Sequence, residues 1–481
     1  MKVKLAILLF LLAAPALAQA EMTPEQMYGY KTFLRLHPPK EKPVKYNLYP
    51  HDGPVIGYGQ DIPLCPALRD EATYENKTEL KSLRHGKNGW LFRTIDFRTD
   101  FMASKETLSY LTRLNRLLAS KGQTLVVAFQ PSRAMASAAY LDPADLPTGY
   151  TPQKQKEGYK AFLKQLNDAG IIAPDLSEIP AGITYFPKGD FHWAPAGARD
   201  AALKISKAVK NLPAYDDLPE KEFESKITGL GPADRGAFEE FLQSTCKVNI
   251  ELTSEPYWQS TGTAGAAEDL LGDGSAPGVT LLGTSNSSEE QKFNFAGFLR
   301  QYLNADVYNA AVLGGGFGSS SFRYYASDEY RQQPPKIVVW EFLPQHNYNN
   351  AESLASLRQM IPAVQGACEP TAALATYKGP VTAEKSEIFK KLPAEKLRNA
   401  YLYLHLTAPA DRDLKLEILY SNGDADQVDL TRSTRAANNG KYFLELGHDN
   451  DGILSAKMIT TPAKGTLEAR LCSYPTKMAE K

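Results

Sequence analysis

The repeating pattern of the chain changes near residue 365, and this change limits the possible folds more than any other feature. Before it, short apolar runs alternate with segments that carry apolar residues at helical spacing. Such alternation is typical of a parallel sheet whose strands are covered on both faces by helices. The first part of the chain is therefore predicted to be α/β, with a doubly wound parallel sheet. The predicted strands are 124–129, 171–173, 279–282 and 337–340, and the predicted helices are 107–118, 153–169 and 295–303.

After residue 365 the chain consists of short strand-like segments separated by turn signals such as Asn438-Asn-Gly440. Strands at this density are typical of an antiparallel β-sandwich of ~100 residues. We therefore divide the chain into an export signal (1–20), an α/β domain (21–364) and an all-β domain (365–481). The predicted strands of the last domain are 401–406, 414–420, 442–446 and 466–471.

Residues 1–20 have the pattern of a cleaved secretory signal. Lys2 and Lys4 precede an apolar core at Leu5–Leu12, and Ala18-Gln-Ala20 offers a cleavage site of small residues. The apolar core is shorter than the ~20 residues that a membrane span needs. The sequence therefore predicts an exported protein.

The chain has four cysteines, which suits an exported protein with disulfides. None of them has the spacing of a zinc site or a thiol redox motif. The sequence alone allows three pairings. We favour Cys65–Cys246 and Cys368–Cys472, because each bridge then lies within one predicted domain.

The formal net charge of −1 at pH 7 argues against a nucleic-acid partner, since domains that bind nucleic acid usually carry a strong basic excess. No cluster of histidine, cysteine and acidic residues has the spacing of metal ligands. No dinucleotide or phosphate-loop motif is present either, so neither a metal nor a cofactor is expected.

Ser285 lies in the run Gly283-Thr-Ser-Asn-Ser287, directly after the predicted strand 279–282. Ligands of open α/β sheets bind beyond the carboxyl ends of the strands, so a turn at this point can display a nucleophilic serine. By itself the run also fits an ordinary turn.

His192 follows Asp190 by two residues in a loop bounded by glycine and proline. In extended backbone the two side chains point to the same face. The carboxylate can then fix the tautomer of a catalytic histidine and stabilise its cation. Taken alone, such a pair is more often a loop acid beside a solvated or packed histidine.

Together, Asp190-Phe-His-Trp193 and the serine run resemble the SGNH-hydrolase-like polysaccharide O-acetyltransferases of bacterial exopolysaccharide secretion. In that family Asp-x-His precedes the serine, whereas ordinary SGNH esterases place the serine first. The segments 86–92 and 98–101 are similar to the entry region of the family. The sequence departs from the family pattern at Asn286, where a bulkier aromatic residue is expected.

The resemblance implies an SGNH-hydrolase-like domain followed by a carbohydrate-binding β-sandwich. It implies O-acetylation of a secreted uronate polysaccharide in the periplasm. The polysaccharide implied is alginate, and the acceptors implied are its mannuronate hydroxyls. The implied partners are this anionic polysaccharide, a membrane-bound acyltransferase that supplies acetyl groups, and outer-membrane secretion-complex proteins.

The resemblance also implies catalytic roles. Ser285 would attack the acyl donor, His192 would take its proton, and Asp190 would orient His192. Thr284 and Asn294 are predicted to line the oxyanion or substrate site. For Asn294, the alternative is a structural residue that caps the following helix.

Five further residues are candidates for holding the polymer. Arg133 follows strand 124–129 at the expected active-site edge and is predicted to bind a uronate carboxylate, with an ordinary ion pair as the alternative. In the all-β domain, cations and aromatic rings recur along the chain, and such groups bind uronates and stack on sugars. The alternative there is a solvated face of mixed charge. The predicted polysaccharide ligands of this domain are Arg412, Arg435, Tyr420 and Lys441.

Two other functions stay open from the sequence. An esterase or deacetylase uses the same three catalytic residues but passes the acyl group to water. A non-catalytic polymer-binding or secretion scaffold would carry them unused.

Overall fold

The computed structural model describes residues 54–56, 60–75, 77–232, 236–250, 254–262, 277–289, 293–380, 386–397, 399–407, 414–430, 432, 434, 438–447, 451–460 and 465–475. The predicted export signal, residues 1–20, lies outside this set. Within it, no helix is both long enough and apolar enough to cross a membrane.

The first part of the chain mixes strands and helices, as predicted. Its strands are Val55–Ile56 (β1), Leu83–His85 (β2), Leu91–Arg93 (β3), Thr124–Phe129 (β4), Phe223–Pro232 (β5), Asn249–Ile250 (β6), Ser254–Gly262 (β7), Val279–Leu282 (β8), Val307–Asn309 (β9) and Ile337–Phe342 (β10). Its α-helices are Lys105–Ser120 (α1), Arg133–Ala136 (α2), Pro152–Asp168 (α3), Pro195–Val209 (α4), Ala237–Cys246 (α5), Phe295–Leu303 (α6), Ser319–Tyr325 (α7), Asp328–Gln332 (α8) and Ala351–Gln365 (α9).

A parallel sheet of four strands, in the order β4-β10-β8-β9, forms the centre of this part. Strands β4, β8 and β10 are almost wholly buried, which explains why they appear in the sequence as largely apolar runs. The prediction of an α/β domain with a parallel sheet is confirmed. The run 171–173 contributes only one bridge, from Ile172 to Val126, so the strand predicted there is wrong.

Local capping explains where the predicted helices begin. Ser104 accepts a hydrogen bond from the backbone of Thr107 at the start of α1, and Thr151 accepts one from Lys154 at the start of α3. Both are strong N-cap residues, and Pro152 occupies the first turn of α3, where its missing N–H costs nothing.

The second part is a β-sandwich, which confirms the predicted class. Its strands are Ala375–Pro380 (β11), Ser386–Leu392 (β12), Ala400–Leu406 (β13), Leu414–Tyr420 (β14), Ala425–Asp429 (β15), Lys441–Glu445 (β16), Ile453–Thr460 (β17) and Thr466–Ser473 (β18). They form two antiparallel sheets, β11-β18-β13-β16 and β12-β17-β14-β15. Alternate side chains of β14 are buried, as a strand that covers a core requires.

The two parts share one apolar core. Tyr403 and Phe443 of the sandwich belong to the same buried cluster as Leu118 of α1 and Leu357 of α9. The two disulfides are Cys65–Cys246 and Cys368–Cys472, which confirms the predicted pairing.

Candidate active site

Ser285 is displayed by a tight turn at the carboxyl end of β8. The backbone N–H groups of Ser287 and Ser288 both donate to the carbonyl of Thr284, at 3.1 Å. Thr284, Asn286 and Ser287 are buried, whereas Ser285 is partly exposed. The turn therefore presents one hydroxyl at the edge of the sheet where ligands bind.

His192 connects this hydroxyl to Asp190. Its Nε2 lies 2.9 Å from Ser285 Oγ, and its Nδ1 lies 2.7 Å from Asp190 Oδ1. The side chains of His192 and Asp190 are 14% and 17% exposed. The three predicted catalytic residues thus form one continuous chain of hydrogen bonds. In such a chain the histidine can take the proton of the serine while the carboxylate stabilises the resulting cation.

Asp190 is held in place by the N-terminus of helix α5. Its Oδ2 accepts the backbone N–H of Ala237, the first residue of α5, at 3.0 Å, and its Oδ1 accepts the N–H of His192 at 2.8 Å. Burial alone would raise the pKa of Asp190. The hydrogen bonds from His192 and Ala237, together with the attraction of the His192 charge, keep this pKa below its usual value. Asp190 is therefore set up to remain a carboxylate.

Two aromatic rings lie beside the imidazole of His192. The ring of Phe191 lies 4.3 Å from it, centroid to centroid, and the ring of Phe293 lies 5.7 Å away. The ring planes are inclined to the imidazole by 29° and 27°, so both rings stack against it and limit its rotation.

Arg133 does not face the polymer, so the prediction that it binds a uronate carboxylate is wrong. Only 2% of the residue is exposed. Its guanidinium donates to the carbonyls of Leu91, Pro187, Lys188 and Asp190. The alternative of a surface ion pair is wrong as well. Arg133 instead ties β3 to the loop that carries Asp190.

Asn286 links the serine turn to the histidine loop. Its Oδ1 accepts the backbone N–H of Trp193 at 3.1 Å, and its carbonyl accepts the Trp193 indole N–H at 2.8 Å. The residue is 1% exposed. At this departure from the family pattern, a buried amide therefore joins the two catalytic segments.

Thr284 is hydrogen-bonded to the strand beneath the serine turn. Its backbone N–H and its hydroxyl both donate to the carboxylate of Glu341, each at 3.0 Å. The prediction that Thr284 lines the oxyanion or substrate site is therefore wrong, because both of its donors are already used below the turn.

Asn294 occupies the N-cap position of α6 with a left-handed backbone, but its side chain makes no capping hydrogen bond. Its amide instead donates to Ser260 of β7 at 2.9 Å. The alternative of a capping side chain is wrong. The oxyanion role stays a prediction.

Tyr420, one of the predicted polysaccharide ligands, is fully buried. Its hydroxyl contacts Asp426 and the backbone of Gly447, so the ring cannot stack on a sugar and this prediction is wrong. Lys441 Nζ forms an ion pair with Asp328 of α8 at 2.6 Å, and the two side chains are 25% and 69% exposed. Because this pair lies at the surface, the role of Lys441 in binding the polysaccharide stays a prediction. Arg412 and Arg435 lie outside the described residues, and their role stays a prediction.

Glu341 is the functional candidate that sequence reasoning missed. It is the one acidic residue in the buried strand β10, and 2% of it is exposed. An acid within an otherwise apolar run is the signal that points to it, since a buried charge needs partners.

The fold and this site define an SGNH-hydrolase-like domain, with an Asp-x-His loop and a serine turn, followed by a β-sandwich. Residues 83–344 match the family model described as SGNH hydrolase-like domain, acetyltransferase AlgX. The chain belongs to this family.

Known proteins cover most of the chain. The alginate biosynthesis protein AlgX of Pseudomonas aeruginosa is 34% identical over 398 residues, which are 81% of this chain and 82% of that protein. The probable alginate O-acetylase AlgJ of Azotobacter vinelandii is 30% identical over 53% of this chain and 67% of its own. The solved structure of Pseudomonas aeruginosa AlgX superposes with a TM-score of 0.74 at 29% identity, covering 86% of this chain and all of that one.

Proposed function

We propose that this protein O-acetylates alginate at mannuronate hydroxyls through an acetyl-Ser285 intermediate. The observation that carries the proposal is the continuous hydrogen-bonded chain from Asp190 through His192 to Ser285. The substrate follows from the relatives, which are named for alginate biosynthesis and alginate O-acetylation.

In the first step, Ser285 Oγ attacks the carbonyl carbon of the acetyl donor while His192 Nε2 takes the hydroxyl proton. The tetrahedral intermediate then collapses, and the leaving group departs with that proton. The backbone N–H of Ser285 makes no hydrogen bond among the described residues, whereas those of its neighbours on either side are used. This N–H is our candidate for the oxyanion donor, with Asn294 as a second one.

In the second step, a sugar hydroxyl loses its proton to His192 and its oxygen attacks the carbonyl carbon of the acetyl-serine. The bond from that carbon to Ser285 Oγ then breaks, His192 returns the proton to Ser285 Oγ, and the acetylated sugar is released. No group in the reaction changes its oxidation state, and the chemistry needs no resident cofactor. A membrane-bound acyltransferase is the proposed source of the acetyl group.

The proposed location is the periplasm, where the two disulfides would be stable. We place the boundary between the catalytic domain and a carbohydrate-binding β-sandwich at residues 364 and 365. Outer-membrane secretion proteins are proposed as further partners, to which the acetylated polymer would pass.

The test is acetyl transfer from a small activated acetyl ester to oligomannuronate, followed by mass spectrometry of the sugar. The wild-type protein is expected to acetylate the sugar, and Ser285→Ala is expected not to. Release of acetate with no acetylated sugar would support an esterase instead. Equal transfer by both proteins would contradict a catalytic role for Ser285.

A further inference from the structure

Glu341 lies directly beneath the serine turn. Its strand, β10, pairs with β8 such that Trp340 is opposite Leu282, the last residue before the turn. Glu341 is therefore level with Gly283. A Cβ atom built on Gly283 would lie 2.6 Å from Glu341 Oε2 and 2.6 Å from Ser287 Oγ, so only glycine leaves room for the carboxylate.

The carboxylate of Glu341 holds the turn on both sides of Ser285. Oε2 accepts the N–H of Thr284 at 3.0 Å and the hydroxyl of Ser287 at 2.5 Å. Oε1 accepts the hydroxyl of Thr284 at 3.0 Å and the amide of Gln130 at 3.1 Å. Three of these four donors come from the turn itself. All four are neutral, and no salt bridge involves Glu341 in the part of the chain that the structure describes.

The titratable groups near Glu341 are His192 and Tyr348. Burial raises the pKa of Glu341, while its hydrogen-bond donors and the positive charge that forms on His192 act in the opposite direction.

We propose that Glu341 is a positioning residue for the acyl-transfer reaction: it fixes the Gly283–Ser287 turn so that Ser285 faces His192. This role rests on the proposed catalytic function of Ser285 and His192. A residue with this task changes kcat and leaves KM almost unaffected, because it acts on the reacting hydroxyl and not on the polymer.

The experiment compares Glu341→Gln with the wild-type protein in kcat and KM for acetyl transfer to oligomannuronate. The amide keeps the size of the side chain, but its nitrogen cannot accept the hydrogen bonds that the lost oxygen accepted. We expect kcat to fall on the order of 10²-fold, as for other small misplacements of reacting groups, with little change in KM.

Two variants serve as controls. Glu341→Asp keeps two acceptor oxygens and is expected to recover part of the lost kcat. Glu289→Gln makes the same chemical change on a largely exposed acid close by and is expected to behave as wild type. If Glu341→Gln fails to fold, Ser287→Ala removes one donor to the carboxylate and is expected to lower kcat severalfold at unchanged KM.

The proposal would be overturned if folded Glu341→Gln had the kcat of the wild-type protein. If Ser287→Ala is tested in its place, a wild-type kcat in that variant would overturn the proposal. A fall in kcat that comes with an equally large rise in KM would do so as well, because Glu341 would then act on polymer binding and not on the position of Ser285. Ser285→Ala separates this inference from the proposed function. Full activity in Ser285→Ala contradicts both, whereas an inactive Ser285→Ala beside wild-type kinetics in Glu341→Gln contradicts the role of Glu341 alone.

Discussion

At the scale of single residues, the site consists of three side chains joined in series by hydrogen bonds. Ser285 is partly exposed between buried neighbours, and His192 lies between Ser285 and Asp190. Among the described residues, Ser285 contacts one base, His192, and the Nδ1 atom of His192 contacts one acid, Asp190. They should therefore act as a unit.

Loss of Ser285 or of His192 is expected to lower kcat for acetyl transfer on the order of 10⁴-fold or more, and the double variant is expected to lose no more than either single variant. Steady-state transfer to oligomannuronate measures this. Ser288→Ala removes a hydroxyl three residues further along and is the matched control, with activity close to wild type. Additive losses in the double variant would show that the two residues act separately.

Asp190 gives a prediction for stability. A carboxylate whose pKa is lowered by folding adds stability that is fully present above its unfolded pKa of ~3.9 and is lost as pH falls through the folded value. Asp190→Asn should therefore be less stable than wild type at pH 6, and the difference should shrink below about pH 4. Urea unfolding at a series of pH values measures it. A difference that is the same at pH 6 and pH 3 would contradict the hydrogen-bonded carboxylate.

Local motifs predicted the three candidate catalytic residues but not the residues that hold them in place. Asp190 and His192 are two residues apart, and Ser285 directly follows a strand, so short stretches of sequence suffice to find them. Arg133 and Glu341 act on segments more than fifty residues away, at Asp190 and Thr284. The order of the strands in the sheet decides which arginine is buried and which acid lies beneath the turn. No local sequence pattern encodes that order.

At the scale of elements, α5 connects Asp190, the proposed catalytic acid, to a disulfide. Its first residue, Ala237, donates to Asp190, and its last residue, Cys246, is bonded to Cys65. The N-terminus of a helix also favours a negative charge beside it. The bridge therefore supports the position of Asp190 through the helix.

Replacing both cysteines of this bridge, in Cys65→Ser/Cys246→Ser, is expected to lower kcat severalfold. The matched control is Cys368→Ser/Cys472→Ser, which opens a loop of 104 residues in the sandwich. That control should lose about 4–5 kcal/mol of unfolding free energy in the loop-entropy model while its kcat stays close to wild type. Activity assays and denaturant unfolding of both double variants test the pair. Equal effects on kcat would contradict the specific link between α5 and Asp190.

The sequence predicted strands β4 and β8 and helix α6 with their observed bounds, because each is a compact apolar segment with clear ends. It missed the antiparallel pair of β5 and β7. The segment Thr228-Gly-Leu-Gly-Pro232 at the end of β5 contains residues that usually interrupt strands, so the pattern there favours a loop. Pairing with β7 and packing of both strands against α6 override that local preference.

At the scale of the whole molecule, the sandwich is fixed to the catalytic part by buried charges as well as by the shared core. Arg113 pairs with Glu445, and Arg358 pairs with Asp426, with all four side chains at most 14% exposed. Removing one partner of such a pair leaves an unpaired buried charge, which is strongly destabilising. The two parts are thus expected to present one continuous surface to a long polymer.

Arg412 and Arg435 are, with Lys441, the remaining candidates for binding the polymer in the sandwich. The double variant Arg412→Ala/Arg435→Ala is expected to bind long polymannuronate more weakly than wild type at low salt, and this difference should narrow as salt screens exposed charges over ~8–10 Å. Its hydrolysis of a small acetyl ester should be unchanged. Lys164→Ala/Lys207→Ala removes two exposed lysines of the catalytic part and is the control of equal charge. Tight binding by the arginine variant at low salt would contradict this role and favour a sandwich that docks to another protein.

The central claim is that Ser285 carries the acetyl group between donor and polymer. The most direct measurement mixes the wild-type protein with a small acetyl ester, quenches it in acid and locates acetyl groups by peptide mass spectrometry, before and after a chase with oligomannuronate. We expect one acetyl group on the peptide that contains Ser285. During the chase this acetyl group should leave the peptide and appear on the sugar. The corresponding peptide of Ser285→Ala should carry no acetyl group. Acetylated sugar formed while the Ser285 peptide never carries acetyl would contradict the central claim.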